Sequence, residues 1–394
     1  MASISVGMIG GGPPARVDDV GTVQPPGAGW TLEWWIGADD RWRLPTNEVA
    51  VRQNRVGDAP VVETAMRVPS GDAIQRVYVA AGEGAPMVIE VENASPAPFV
   101  LALVVRGAGQ VALDGATARI DRQFALTTPR APSRWAKTIA APVQLPVTTG
   151  HAETGPFPGA RDRGARLEVA LLHPVAHRTT LRAVMTRGKH PPVVDPRSVA
   201  DADDVARGWS RQLDRALRVE LPSDALMARV RAARAEVLLA GQGRTPGAAV
   251  FAALEDWGFD AETSVVWRRL SVRERQAVRS RAAPETWAAA EGLADDGDFL
   301  VAVRRLLVHD TPKGPVELLT ELPDAWRGEP IAVHDAPIAD GTVSYAVRWH
   351  GPRAALLWET TASDVVLRAP ALDPEWSTTE ARGEALFEVA DRRP

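Results

Sequence analysis

The chain has 394 residues, enough for two or three domains at roughly 100–200 residues each. Its 45% apolar and 24% charged residues are those of an ordinary globular protein, and the formal net charge of −5 argues against nucleic acid as a partner, because phosphate binding needs concentrated positive surface. There is no cysteine, which excludes disulfides, zinc–thiolate sites and a thiol nucleophile.

The opening MASISVGMIGGG has no basic start and no long apolar core, so it does not read as a secretory signal. No apolar run approaches the ~18–20 residues of a membrane span. The expectation is a cytoplasmic protein with no membrane partner. Gly10, Gly12 and Ala15 formally fit a dinucleotide fingerprint. Two prolines follow the glycines and no amphipathic helix follows the prolines, so no helix N-terminus is there to hold a pyrophosphate.

From Trp30 to about Met185 the pattern is strands. WTLEWWI, VVETAMRV, AIQRVYV, MVIEVEN, PFVLALVVR, VALD, TARID, RLEVALL and TTLRAVM are short, rich in Val, Ile, Thr and Trp, and bounded by turn residues. MVIEVEN alternates, with Met87, Ile89 and Val91 on one face and Glu90 and Glu92 on the other. PFVLALVVR is apolar up to its final Arg, which predicts a central strand buried on both faces. Strands without intervening helices predict a large antiparallel β-sandwich over residues 1–190. The Pro-, Thr- and Gly-rich segment 129–164 reads as loop.

Helices follow a proline-containing linker. Asp201 is placed to cap the first, with Val205, Trp209, Leu213 and Leu217 at i+4 steps. In LPSDALMARVRAARAEVLLAG, Ser223 is the cap, Leu226, Val230, Ala233, Val237 and Leu238 make one stripe, and Gly241 ends the helix. Thr245-Pro246 opens the next, which Gly258 terminates. Ser271 with Glu274 forms a capping box. Pro284 and Asp298 open two more. Short turns make sequential helices antiparallel, so residues 198–311 are expected to be an array of αα-hairpins. After them, PIAVHD, GTVSYAVRWH, RAALLWE, DVVLRAP and ALFEVA return to strands, with Asp340-Gly341 as a hairpin turn, and predict a small β-sandwich over 313–394. The fold class is therefore multidomain α+β.

The order of these regions resembles that of the six-hairpin glycosidases, among them the glucoamylase-like, glycogen-debranching-like and rhamnosidase-like enzymes. WSRQLDRALRVELPSDALMARVRAARAEVLLAG resembles the opening hairpin of their α/α barrel. VELLTELPDAWRGEPIAVHDAPIADGTVSYAVRWHGPRAALLWE is similar to the end of such a chain, and WTLEWWIGADDRW is similar to the opening of actinobacterial-type proteins. The resemblance implies a carbohydrate-active protein, with α-glucan-like or related oligosaccharides as ligands, catalytic carboxylates on barrel loops and no cofactor. The chain departs from the pattern in one respect. About 110 residues lie between its β regions, so roughly half of a six-hairpin barrel is missing. An apolar helical face left uncovered by the missing hairpins would predict a homodimer.

Glycoside hydrolysis needs two carboxylates across the scissile bond. Among Glu255, Asp256, Asp260, Glu262, Glu285, Asp295 and Asp296, the run Glu255-Asp256-Trp257-Gly258 is the most site-like. It places two carboxylates and an indole at a helix C-terminus, where the dipole raises a carboxyl pKa as a general acid requires. The plain alternative is a solvated helix end over a buried indole. Trp34, Trp35, Asp39 and Asp40 form a second candidate. Consecutive strand residues point to opposite faces, so on a one-sided sheet one indole is free to stack on a sugar while an Asp accepts hydroxyl hydrogen bonds. The plain alternative there is packing between sheets or domains. Trp349, between Arg348 and His350, carries the same ambiguity. None of the seven His falls in an H-x-H or H-E-x-x-H spacing, so no metal site is expected. A second reading stands beside the hydrolase: an inactive relative that binds glycan or a protein partner.

Overall fold

The computed structural model describes residues 3–279, 284–310 and 314–388. It is of mixed α+β class, with many antiparallel strands, and divides into two compact units, Met1–Trp209 and Ser210–Pro394.

The first unit is built on two sheets. One has the strand order Ser3–Val6, Ala15–Asp18, Val23–Gln24, Thr31–Gly37, Phe99–Ala108, Leu167–Val175, Arg134–Ile139, with Trp42–Arg43 pairing beside Thr31–Gly37. The other runs Ala160–Arg161, Gln110–Asp114, Thr117–Ile120, Phe124–Thr127, Thr180–Arg187, Met87–Asn93, Gly71–Val79, Val62–Val68, Val51–Arg55. All the pairings in both are antiparallel. Period-2 alternation puts Leu101, Leu103 and Val105 of one sheet and Val77, Ile89 and Val91 of the other into one shared apolar core.

The first sheet is buried on its other face as well. Trp35, Ala102, Val104, Ala170 and Leu172 pack against Val143, Val147 and Ala152, which belong to the segment expected to be loop. That segment carries the strand Arg134–Ile139 and a short helix, α1 (Gln144–Thr148). The strand Phe99–Ala108 is accordingly central, and Leu101 to Val105 are fully buried.

Within this unit, the segment that follows the last of these strands in the chain is held to the second sheet by polar groups. On the outer face of the second sheet, Glu90 takes hydrogen bonds from the Tyr78 hydroxyl (2.6 Å) and from Arg182 Nε (2.7 Å). Arg182 Nη1 also reaches the Val199 carbonyl (3.2 Å), and the Tyr78 hydroxyl lies 3.1 Å from the Ala200 carbonyl. Burial is the main reason that the Tyr78 phenol ionises well above its ordinary value. Helix α2 (Ala202–Leu213) follows, capped by Asp201, whose Oδ1 accepts from the Asp204 N–H (2.8 Å). The periodicity through Leu217 predicts a longer helix. The chain instead leaves it at Leu213 and makes a three-residue strand, Arg218–Glu220.

In the second unit the helices are α3 (Asp224–Ala240), α4 (Ala248–Asp256), α5 (Asp260–Arg269), α6 (Val272–Arg279), α7 (Trp287–Glu291) and α8 (Asp296–Leu307). Ser223 caps α3 through the Leu226 N–H (3.3 Å), and every residue of the expected stripe is buried. The box at α6 is closed in both directions, Ser271 N–H to Glu274 (2.7 Å) and Glu274 N–H to Ser271 Oγ (3.3 Å). Three helix starts differ from expectation. Gly247 rather than Thr245 precedes α4, Thr286 caps α7, and Asp295 caps α8, so Asp298 is the residue whose N–H is capped. Helix α8 is buried around most of its circumference and packs against α3, α4 and α7.

The strands of this unit form two sheets. A five-stranded antiparallel sheet has the order Arg218–Glu220, Ile331–Ile338, Gly341–His350, Arg353–Thr360, Arg382–Glu388; the expected strand residues Val389 and Ala390 lie outside the described ones. A smaller one joins Val308–His309, Val316–Leu318, Leu367–Ala369 and Asp373–Thr378, with one parallel pairing. The hairpin turn falls one residue earlier than the sequence predicts: Ala339 and Asp340 make it, Gly341 already pairs with Ile338, and Val343, Tyr345 and Val347 are buried on one face. The Tyr345 hydroxyl donates to the Leu307 carbonyl (2.8 Å), tying this sheet to the end of α8. Among the described residues, no helix is long and apolar enough to cross a membrane.

Candidate functional site

Helix spacing places Phe251 and Glu255 on one face of α4, and Thr263 and Trp267 on one face of α5. These faces meet Val278 of α6 around a cleft of about 370 Å³, which Ser264 also lines. Phe251 and Trp267 touch with ring centroids 5.0 Å apart, and the Arg275 guanidinium sits 4.7 Å from the Trp267 centroid while Nη2 donates to the Trp267 carbonyl (3.0 Å). Trp267 is thereby fixed as a half-buried indole wall.

Glu255 is the only carboxylate among the described residues lining this cleft. Its own surface is exposed, yet the neighbouring wall removes water from one side; that desolvation, with the adjacent Asp256 charge, pushes its pKa up. Asp256 is one residue along the helix, about 100° round the axis, and does not line the cleft. Burial raises its pKa against the pull of Arg304 and Arg305, with Asp310 adding to the rise. Arg304 itself is buried and hydrogen-bonded to Asp310 Oδ1 (2.6 Å), the Val308 carbonyl (2.6 Å) and the Pro337 carbonyl. Both carboxyls are thus held toward the protonated form, but adjacent helix positions do not face each other across a substrate.

The other helical carboxylates have different places. Glu262 is buried and paired with Arg215 (2.9 Å), and Asp295 caps α8. Asp260 and Asp296 sit in the first turns of α5 and α8, where the helix dipole favours them, and Glu285 is exposed.

The aromatic candidates prove mostly to be core. Trp257 is fully buried, with its Nε1–H donated to the Leu300 carbonyl (2.9 Å) and the Arg234 guanidinium 5.3 Å from its ring. Trp34 lies in the core between the two sheets and donates to the Val20 carbonyl (3.1 Å). Trp35 lies in the second cluster, on the opposite face, and donates to Glu33 (3.1 Å). With both faces of the sheet covered, neither indole offers a face to a sugar. Asp39 is exposed, and Asp40 is bound through both oxygens to Arg43 (2.7 Å each), which takes its pKa down to about 2. Trp349 is half-buried at the end of its strand and donates to the Glu329 carbonyl (3.0 Å).

The structure therefore brings Glu255 together with Trp267, Phe251, Thr263 and Ser264, and separates it from the other candidates. The i, i+4 spacings were readable, but which helices face each other was not. No group of three or more His, Asp or Glu placed to hold a metal occurs among the described residues. No protein-family model matches the chain, and no curated protein matches its sequence.

Proposed function

We propose that this chain is a carbohydrate-binding relative of the six-hairpin glycosidases, with the layout of β-sandwich, shortened helical-hairpin domain and small β-sandwich, and that it holds a glycan in the cleft of α4, α5 and α6. One observation carries the reading: among the described residues the cleft sets one carboxyl, Glu255, beside an indole wall, and the second candidate carboxyl does not line it. An apolar aromatic wall with a few hydrogen-bonding groups suits a sugar ring. Hydrolysis needs an acid and a base on opposite sides of the bond. The volume lies at the small end of ligand pockets, which run to roughly 300–1,000 Å³, so a short glycan segment is the fitting ligand.

The hydrolase is the second reading, favoured by one fact, the upward-shifted carboxyl of Glu255. Calorimetric titration with α-glucan oligosaccharides and other short glycans, beside an assay for released sugar, separates the two. The binding reading expects affinity that Trp267→Ala abolishes, and no sugar release. Turnover that Glu255→Gln removes would establish the hydrolase instead. Absence of binding across the panel would end both.

A further inference from the structure

The first unit carries a larger cavity, of about 690 Å³, which the reading above does not use. It lies where the chain crosses twice between the two sheets, at residues 128–133 and 176–179. Its floor is apolar. Val175 is buried and Leu181 half-buried, both turned toward the core between the sheets. His173 shares the face of Leu171 and Val175 by strand alternation. It is 3% exposed, and its Nε2 has no hydrogen-bond partner.

The charge lining the cavity has one sign. Arg130, Arg182 and Arg197 line it, and among the described residues no carboxylate does. Arg182 is engaged by Glu90. Arg130 and Arg197 are exposed, and among the described residues neither side chain makes an ion pair. Two unneutralised guanidinium groups over an apolar floor form a field that attracts an anion and selects one with a hydrophobic body.

We propose that this cavity binds a small organic anion with an apolar body, its acid group held by Arg130 and Arg197 and its body laid on Val175 and Leu181. Guanidinium pairs match planar carboxylates and phosphates through parallel N–H donors. An unpaired imidazole nitrogen in the floor adds a polar point that the ligand's own donor or acceptor would satisfy, since buried polar atoms ordinarily have partners.

The test uses the full chain and anilinonaphthalene sulfonate, a fluorescent organic anion of this shape. The expected result is saturable binding at one site per chain. The exposed positions Arg130→Ala and Arg197→Ala, combined, should weaken it about tenfold or more without changing the thermal unfolding temperature. Leu181→Gln should weaken it separately, by placing an amide in the floor. Competition by octanoate and by octyl phosphate tells a carboxylate site from a phosphate site. Retention of full affinity in the double variant would overturn the proposal. So would equal affinity for the uncharged N-phenylnaphthylamine, or the lack of saturable binding.

Discussion

Trp34 and Trp35 are consecutive in one strand, and their indoles are buried in two different apolar clusters on opposite faces of the same sheet. Each also finds a hydrogen-bond acceptor, Trp34 at the Val20 carbonyl and Trp35 at the Glu33 carboxylate. A sheet with two cores depends on its outer cover as much as on its partner sheet. Here the cover is the segment of Val143, Val147 and Ala152.

Trp34→Ala and Trp35→Ala should therefore cost similar amounts, about 3–5 kcal/mol each, as buried indoles do. Trp349→Ala, at a half-buried strand end, should cost much less. Urea unfolding of the three variants measures this. A Trp35→Ala protein as stable as the parent would mean that the outer cover contributes no packing.

The Glu90 carboxylate is nearly buried and depends on Arg182 and Tyr78 for its hydrogen bonds. Arg182→Met leaves that charge without its cation, which should destabilise the first unit by roughly 3 kcal/mol or more. Tyr78→Phe removes one neutral donor and should cost about 1–3 kcal/mol. Pairing Arg182→Met with Glu90→Gln should recover a part of the loss, because the stranded charge goes as well. Both single variants should also speed proteolysis near residues 196–200, whose carbonyls Arg182 and Tyr78 hold. Unchanged cleavage there would show that the linker is fastened by other contacts.

Much of this architecture was legible in the chain because local pattern and burial agree. Residues 98–105 are apolar at every position, and the corresponding strand is buried on both faces as far as Arg106, which pairs with Glu33 and Glu168. The same fact bears on Trp35, since a neighbouring strand in that sheet shares both covered faces. The cover itself was not legible: α1 has five residues, too few to show a period, and its surroundings are rich in Pro and Thr. The strand Arg218–Glu220 is equally silent, being three residues long with a partner more than a hundred residues later. Some caps survive such difficulties because they are local, as Ser223 and the Ser271–Glu274 pair show, while the starts of α4, α7 and α8 fall a few residues from the expected positions. The cleft depends on α4, α5 and α6 meeting, and no local pattern encodes that.

Asp256 is a half-buried carboxyl whose desolvation sets its pKa above the ordinary value in the folded chain. The unfolded chain loses this proton more readily, so folding is favoured at low pH and the contribution falls as pH rises through the window above the ordinary carboxyl range. Asp256→Asn removes the ionisable group. It should raise the unfolding temperature at pH 7 and have little effect at pH 4. A destabilised variant at pH 7 would show that the ionised carboxylate is instead held by Arg304.

His173 gives the opposite slope. Burial lowers its pKa from 6.5 to about 4, so the folded chain keeps the imidazole neutral where the unfolded chain already takes a proton. Above pH 6.5 both states are neutral and the contribution is intact. As pH falls from 6.5 toward 4 the unfolded state gains the proton alone, and stability is lost across that window. The ceiling on this loss is on the order of 3 kcal/mol, from about 1.4 kcal/mol per pKa unit. His173→Leu, close in size and turned to the same apolar face, should flatten the pH dependence between 6.5 and 4. Denaturant midpoints of parent and variant at several pH values measure it. Identical slopes in the two proteins would mean that His173 is protonated in the folded chain, and that its buried nitrogen has found a partner that the fold alone does not provide.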